Sequence, residues 1–154
     1  FEKSLINDGW EITGLNRRII IMISNPKNGW CNFDLGTFHR TPSYLTDIPV
    51  DLLDAFIQYH YARTGIVWFD GEDTGCFTLV IVPGSLFIIE ENDGPILHDF
   101  SELSIKDLEK ELIEDIEKDL TGWFEFTIIE DKKETIKHEK EIRKKLSILK
   151  KLNG

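Results

Sequence analysis

Apolar runs separated by turn-forming residues dominate the first part of the chain. Residues 17–24 are rich in Ile, and residues 30–35 form a second apolar run beyond the Asn, Pro and Gly of residues 25–29. Two such runs on either side of a turn predict a β-hairpin. Residues 37–46 have no clear periodicity, and we expect them to form a loop.

The next segment has the spacing of a helix. Asp47 is placed to act as the N-cap, Pro49 suits the first turn, and Gly65 offers a left-handed stop. Large apolar residues recur between these signals with mostly helical spacing: Leu52, Leu53, Phe56, Tyr59 and Tyr61. We expect this helix to cover one face of a sheet.

Short apolar stretches alternate with turn signals again from residue 66 to residue 100. The stretches 66–69, 76–82 and 86–89 are predicted strands, and residues 96–100 add an edge strand. Their short connections indicate an antiparallel meander. Because residues 76–82 are nearly all apolar, we expect a central strand that is covered on both faces.

The clearest helix of the sequence begins after Ser104, a favourable N-cap, and is predicted to run to Leu120 and stop at Gly122. One side of it is apolar: Ile105, Leu108, Leu112, Ile113, Ile116 and Leu120. The other side is acidic: Asp107, Glu111, Glu114 and Glu117. Glu109 and Asp119 fall in or beside the apolar arc, so we expect the arc not to be buried to its full width.

The last part of the chain combines one more strand with a basic helix. Residues 123–129 are predicted to be a strand, and all four tryptophans fall in predicted strands: Trp10, Trp30, Trp68 and Trp123. Residues 132–154 are predicted to be helical, with Ile142, Leu146 and Leu149 on one stripe. We expect this helix to dock on a core domain of residues 1–131, which should stay folded without it.

These elements together predict an α+β fold. The expected architecture is a single domain with an antiparallel β meander or sheet, two packed helices and a C-terminal basic helix. With 154 residues, of which 41 % are hydrophobic, the chain is large enough to bury one core.

Charge is distributed unevenly along the sequence. The chain has a formal net charge of −10, which combines −16 over residues 1–131 with +6 over residues 132–154. An acidic surface repels phosphate backbones, so the charge disfavours nucleic acid as a partner, although the basic tail could touch phosphates. The longest apolar run, residues 19–23, is far too short to span a membrane.

The expected compartment is the cytoplasm. The N-terminal sequence FEKS lacks the basic and apolar regions of a signal peptide. Cys31 and Cys76 lie on separate predicted strands, and two such thiols are typical of buried small residues in a reducing environment.

Candidate chemistry in the sequence is sparse. The loop residues Asp70, Glu72 and Asp73 offer carboxylates to a hard cation, but their spacing matches no EF-hand loop and is typical of an acidic turn. The histidines are dispersed, without the spacing of a zinc pair. Glycine-rich phosphate loops and the Gly-x-Ser-x-Gly motif are missing from the sequence. The sequence therefore predicts no cofactor, metal site or catalytic residue.

One short segment resembles a known family. Residues 48–57, IPVDLLDAFI, are similar to the Leu-Pro helix start of the SUKH superfamily of bacterial immunity proteins. The Asn-Gly that usually follows in that family is missing here, and strands precede the helix, so we do not assign the sequence to it.

The leading hypothesis is a non-enzymatic, acidic protein-binding domain of the immunity or antitoxin type, which inhibits a basic toxin or nuclease. The partner-binding residues predicted for it are acidic: Asp107, Glu111, Glu114 and Glu117 on the helix, and Asp70, Glu72 and Asp73 on the loop. Two alternatives stay open. One is a structural domain that forms a homodimer through its C-terminal helix, and the other is an enzyme with an unrecognised metal or thiol site.

Overall fold

The structure is a computed structural model that describes residues 22–127 and 130–154. The strands are β1 (Ile23–Lys27), β2 (Trp30–Leu35), β3 (Phe38–Arg40), β4 (Gly65–Asp70), β5 (Cys76–Val82), β6 (Ser85–Asn92) and β7 (Gly94–Asp99). The helices are α1 (Ile48–Ala62), α2 (Ile105–Lys118), α3 (Leu120–Phe124) and α4 (Lys132–Asn153), with a 3-10 turn at Glu72–Thr74. This is the α+β architecture that the sequence predicted.

A three-stranded antiparallel sheet has the order β1-β2-β3. Its first turn is shorter than predicted, because β1 continues to Lys27. The turn residues Asn28 and Gly29 both have positive φ, as in the two-residue turns that favour hairpins. The expectation of a loop over residues 37–46 is wrong for Phe38–Arg40, which pairs with β2. A strand of three residues is too short for an alternation of apolar and polar residues to be recognised in the sequence. The predicted strand over residues 17–24 lies largely outside the described residues, as does Trp10.

A four-stranded antiparallel sheet has the order β4-β5-β6-β7. One face of it is buried and carries the core side chains Val67, Phe69, Phe77, Leu79, Ile81, Leu86 and Ile88. The strand over residues 76–82 is central, but the expectation that both of its faces are covered is wrong. Its residues alternate between buried and half-buried, because no described residue forms a packed layer on the other face of this sheet.

The two sheets meet through aromatic rings. Phe33 of the smaller sheet lies 4.8 Å from Phe69 of the larger sheet, and Phe69 stacks on Phe77 with ring centroids 4.5 Å apart. Large rings in contact at these distances contribute both buried area and ring–ring attraction. The core therefore runs continuously from one sheet to the other.

Helix α1 packs on β4 and ends differently from the prediction. Arg63, with φ of 62°, takes the left-handed position at its C-terminus, whereas Gly65 is buried and begins β4. A Cβ atom added at Gly65 would lie 2.1 Å from the carbonyl oxygen of Ala55. Glycine is therefore needed at position 65 for the close approach of β4 to α1 rather than as a helix stop.

Helix α3 directly follows α2, and an N-cap that the sequence did not predict lies between them. The hydroxyl of Ser104 accepts a hydrogen bond from the backbone N–H of Asp107, as predicted, but α2 ends at Lys118. The side chain of Asp119 then accepts from the N–H of Gly122, which places Gly122 inside α3 rather than at a helix end. The predicted strand over residues 123–129 is wrong for Trp123 and Phe124, which lie in α3, and for the turns after them. Residues 128–129 lie outside the described part.

Helix α4 packs against α1 and α2. Its stripe of Ile142, Leu146 and Leu149 is buried in the same core as the sheets. Lys145 Nζ lies 2.5 Å from Asp54 Oδ1 of α1, and Lys150 pairs with Glu117 of α2. The basic helix therefore lies against acidic neighbours and contributes apolar side chains to the core.

Candidate partner-binding surface

The outward face of the four-stranded sheet carries large apolar side chains with no packed layer over them in the described part of the chain. The strand register places Trp68, Thr78, Ile89 and Leu97 in one row across this face, because directly paired residues point to the same side. The neighbouring row is Ile66, Val80, Phe87 and Asp99. Every one of these side chains is half-buried or exposed. We call this surface the open sheet face.

Exposure on the open sheet face is greatest at its two edges. Ile66 is 62 % exposed and Trp68 43 % exposed on β4, and Leu97 is 61 % exposed on β7. An antiparallel sheet with one solvated face normally carries polar residues there. A contiguous patch of exposed apolar side chains is typical of an interaction surface.

Acidic groups border this apolar surface. The third row of the register is Asp70, Cys76, Glu91 and Pro95, and Asp99 ends the second row. The indole Nε1–H of Trp68 donates to Glu91 Oε2 over 3.3 Å, which links the apolar centre to the acidic border. Lys and Arg are absent from the outward positions of β4 to β7. The field at this face therefore attracts cationic groups.

The predicted loop residues lie at one end of the open sheet face. Asp70 is the last residue of β4, and its Oδ1 accepts the backbone N–H of Glu72 over 2.7 Å. Glu72 and Asp73 are exposed in the 3-10 turn that connects β4 to β5. The loop thus continues the acidic border that Glu91 begins.

The predicted helix residues lie elsewhere. Helix α2 packs chiefly against α4 and β1 rather than against the four-stranded sheet. Asp107 and Glu114 are exposed, whereas Glu111 is half-buried, and burial together with the nearby Glu114 raises the pKa of Glu111. Glu117 pairs with Lys150 of α4. The loop and helix carboxylates therefore do not form one surface.

Sequence reasoning missed the apolar residues of the open sheet face. In β4 and β5, apolar residues occupy both alternating sets of positions, a pattern that predicts a strand covered on both faces. The same pattern arises when one face is covered and the other is an exposed apolar surface. No signal in the sequence separates these two cases.

A buried, hydrogen-bonded carboxylate joins three helices. Glu109 of α2 is only 1 % exposed, and its oxygens lie 2.7 Å from His60 Nε2 and 2.9 Å from Asn153 Nδ2. The expectation that the apolar arc of α2 is not fully buried near Glu109 is therefore wrong. The glutamate enters the core because α1 and the end of α4 provide hydrogen-bond donors for it.

A second buried carboxylate joins the two sheets. Glu90 of β6 accepts from Arg40 Nε over 3.0 Å and from His98 Nε2 over 2.6 Å. Burial alone would raise the pKa of Glu90, but the hydrogen bonds from Arg40 and His98 outweigh it and leave that pKa below its ordinary value. Glu90 is therefore ionised and fully bonded, as a structural carboxylate is.

Neither cysteine is activated as a nucleophile. Cys31 is buried, and burial raises the pKa of its thiol to about 12. Cys76 is half-buried on the open sheet face rather than in the core, and desolvation raises the pKa of its thiol as well. Because the thiolate is the reactive form, both thiols are poor nucleophiles at neutral pH.

Among residues 22–127 and 130–154, no group of three or more His, Cys, Asp or Glu side chains is arranged to hold a metal ion. In the same part of the chain, no helix has the length and apolar character needed to cross a bilayer. A scan against protein-family models and searches of the curated proteins and the solved structures find no significant match to this sequence.

Proposed function

We propose that the chain is a non-enzymatic protein-binding domain that uses the open sheet face to dock a basic protein. The observation that carries the proposal is the exposure of Ile66, Trp68 and Leu97 on one surface where every charged outward side chain of β4 to β7 is acidic. An inhibitor of a basic toxin or nuclease, of the immunity or antitoxin type, is the functional class that this chemistry fits. Such an inhibitor would act in the cytoplasm.

The apolar centre of the surface supplies affinity. Removing apolar area from water contributes about 25 cal/mol per Å². Tryptophan is enriched among the interface residues whose truncation costs about 2 kcal/mol or more. Trp68 is already oriented by its hydrogen bond to Glu91, so docking a partner fixes less side-chain freedom.

The acidic border supplies selectivity. Carboxylates at Asp70, Glu91 and Asp99 attract lysine and arginine side chains and speed their encounter with the surface. The same groups repel nucleic acid and anionic membranes. A protein with an apolar patch ringed by basic residues is therefore the favoured partner.

The test begins with capture of basic proteins from source-cell extract on the immobilised chain at low salt. The captured protein is then purified, and its affinity is measured by titration calorimetry. We expect Trp68→Ser and Leu97→Ser each to weaken binding about tenfold or more. Tyr61→Ser is the matched control, because Tyr61 is 72 % exposed on α1, away from the sheet face.

Charge variants separate the sheet face from the helix face. We expect Glu91→Lys to slow association with the purified partner and Glu114→Lys to leave it unchanged. Equal effects of the Trp68 and Tyr61 variants, or loss of binding with Glu114→Lys alone, would overturn the proposal. So would the absence of any basic protein in the captured fraction.

A further inference from the structure

Strand β7 forms an edge of the four-stranded sheet in the described part of the chain. The N–H of Phe100 donates to the carbonyl oxygen of Leu86 over 2.8 Å, just beyond the pair formed by Phe87 and Asp99. In an antiparallel ladder this makes Phe87 and Asp99 a non-hydrogen-bonded pair, and the pairs alternate from there. The N–H and C=O groups of Leu97 and Asp99 therefore point away from β6.

The side chains of β7 protect this edge weakly. Edge strands in soluble proteins are commonly blocked by lysine, proline, a bulge or a covering segment. Strand β7 contains no lysine, and Pro95 removes only one outward donor, at one end. Ile96 is 47 % exposed on one side of the strand and Leu97 is exposed on the other.

The opposite edge of the same sheet is partly closed. The N–H of Ser43 donates to the carbonyl oxygen of Asp70, the last residue of β4, over 2.8 Å. Ser43 also forms a bridge to Trp30 of the smaller sheet. Of the two edges, β7 therefore offers the longer free ladder among the described residues.

The charge around β7 is acidic on both sides of Leu97. Asp99 follows it by two residues, and Glu91 and Asp93 lie at the turn that precedes it. Asp99 accepts hydrogen bonds from the N–H and hydroxyl of Ser101, which lower the pKa of its carboxyl and keep it ionised. An incoming strand with basic side chains is therefore attracted, and a second copy of this acidic chain is repelled.

We propose that the partner adds an extended segment to β7. Its backbone pairs with Leu97 and Asp99, one apolar side chain lies beside Leu97, and Lys or Arg residues two positions away face the acidic ends. Strand addition of this kind takes affinity from backbone hydrogen bonds and selectivity from alternate side chains. The inference rests on the proposed function, because it specifies how a partner of the open sheet face would be held.

Amide hydrogen exchange of the full chain, read by NMR, tests the proposal directly. The probe, called the Lys-Val peptide, is synthetic and has the repeat Lys-Thr-Val-Thr, which places a Lys two positions from each Val on the same face of the strand. The matched control, called the Glu-Val peptide, has Glu in place of each Lys. We expect the Lys-Val peptide to slow exchange at Leu97 and Asp99 about tenfold or more, and the Glu-Val peptide to leave it unchanged. Unchanged exchange with both peptides would overturn strand addition.

Two variants separate the backbone contribution from the side chain. Leu97→Pro and Leu97→Ala both remove the leucine side chain, but only proline removes the outward N–H. With unfolding midpoints as the check on folding, we expect Leu97→Pro to bind the Lys-Val peptide about fivefold more weakly than Leu97→Ala. Equal affinities of two folded variants would count against backbone pairing.

The outcomes also separate this inference from the proposed function. Slow exchange at Leu97 and Asp99 in the free chain would show that the edge is already paired, by this chain or a second copy, and would overturn strand addition. If Trp68→Ser weakens binding of the captured protein while that protein leaves both amides unprotected, the proposed function stands and the inference fails. If Trp68→Ser and Tyr61→Ser bind alike, the proposed function fails.

Discussion

Nε2 of His138 on α4 lies 2.8 Å from Oδ2 of Asp47, the residue that precedes α1. Its other ring nitrogen, Nδ1, lies 2.7 Å from the carbonyl oxygen of Phe124. The Asp47 and Phe124 oxygens both accept a hydrogen bond only when both ring nitrogens of His138 carry hydrogen. A histidine in that state is the charged imidazolium. Burial lowers the pKa of His138, but the hydrogen bonds to Asp47 and Phe124 raise it by more, so the net change is upward. A charged pair therefore ties α4 to the start of α1.

We predict that His138→Gln lowers the free energy of unfolding by about 1–3 kcal/mol at pH 6, since it removes a charge-assisted hydrogen bond. The folded-state pKa of His138 lies above its ordinary value of 6.5. The stability that the imidazolium contributes is therefore complete below pH 6.5 and is lost as the pH rises through the folded-state pKa. Urea unfolding from pH 5.5 to pH 9 measures the effect.

The control for this prediction is His39→Gln, because His39 is exposed and pairs with Asp34 within the same hairpin. We expect that variant to change stability by less than about 0.5 kcal/mol. A His138→Gln deficit that grows as the pH rises would contradict the sign of the linkage.

Asp51 carries an electrostatic cost in the folded state. Burial raises the pKa of Asp51 to about 6, and the neighbouring carboxylates of Asp47 and Asp54 add to the effect. The cost is absent below the unfolded-state pKa of about 4, grows as the pH rises toward 6, and is constant above that. We predict that Asp51→Asn stabilises the chain by about 1 kcal/mol at pH 7, since Lys145 and solvent screen part of the repulsion.

The same variant should bring little gain at pH 3.5, where Asp51 is protonated in the folded state and mostly protonated in the unfolded state. Thermal unfolding at the two pH values gives the comparison. Asp54→Asn is the contrasting variant, because Asp54 pairs with Lys145 of α4 and its loss should destabilise or leave stability unchanged. A loss of stability with Asp51→Asn at pH 7 would contradict the prediction.

Local periodicity predicted most of the regular elements. The arc of α2 places Leu112 and Ile116 in the core, as the 3.6-residue repeat requires. The meander over residues 66–100 is the antiparallel sheet β4 to β7, because its short turns leave little freedom in strand order. The fold class could therefore be predicted from sequence patterns that lie within single helices, strands and turns.

Predictions failed where a distant residue decides the outcome. Asp47 makes no capping hydrogen bond because its side chain reaches His138, which is 91 residues away in the sequence. The Asp47–His138 pairing depends on tertiary packing, and no window of the sequence contains it. The strand prediction for Trp123 failed for a local reason instead: tryptophan favours strands, but the Asp119 cap starts a helical turn before it.

A substitution at Gly65 tests how closely α1 packs on β4. We predict that Gly65→Ala destabilises the chain by about 3 kcal/mol, because the new Cβ would lie 2.1 Å from the backbone oxygen of Ala55 and force the helix and strand apart. Gly84→Ala is the matched control. Position 84 has open space around it, so the stability lost in Gly84→Ala comes only from placing alanine at a positive φ of 75°. Chemical denaturation of both variants checks the difference, and equal midpoints would contradict it.

The last prediction concerns α4, whose removal was expected to leave the rest of the chain folded. Its stripe of Ile142, Leu146 and Leu149 belongs to the main core, so deleting residues 132–154 uncovers the apolar surfaces of α1 and α2. We predict that the truncated chain loses its cooperative unfolding transition, as followed by circular dichroism in urea.

Point variants of the full chain separate packing from charge in this result. Leu149 is fully buried, and Leu149→Ala should cost about 2–5 kcal/mol. Lys150→Ala removes the ion pair with Glu117 and should cost less than about 1 kcal/mol, because both groups are solvent-accessible. If instead the truncated chain unfolds cooperatively near the midpoint of the full chain, or Lys150→Ala costs as much as Leu149→Ala, then α4 is held by charge rather than by the core.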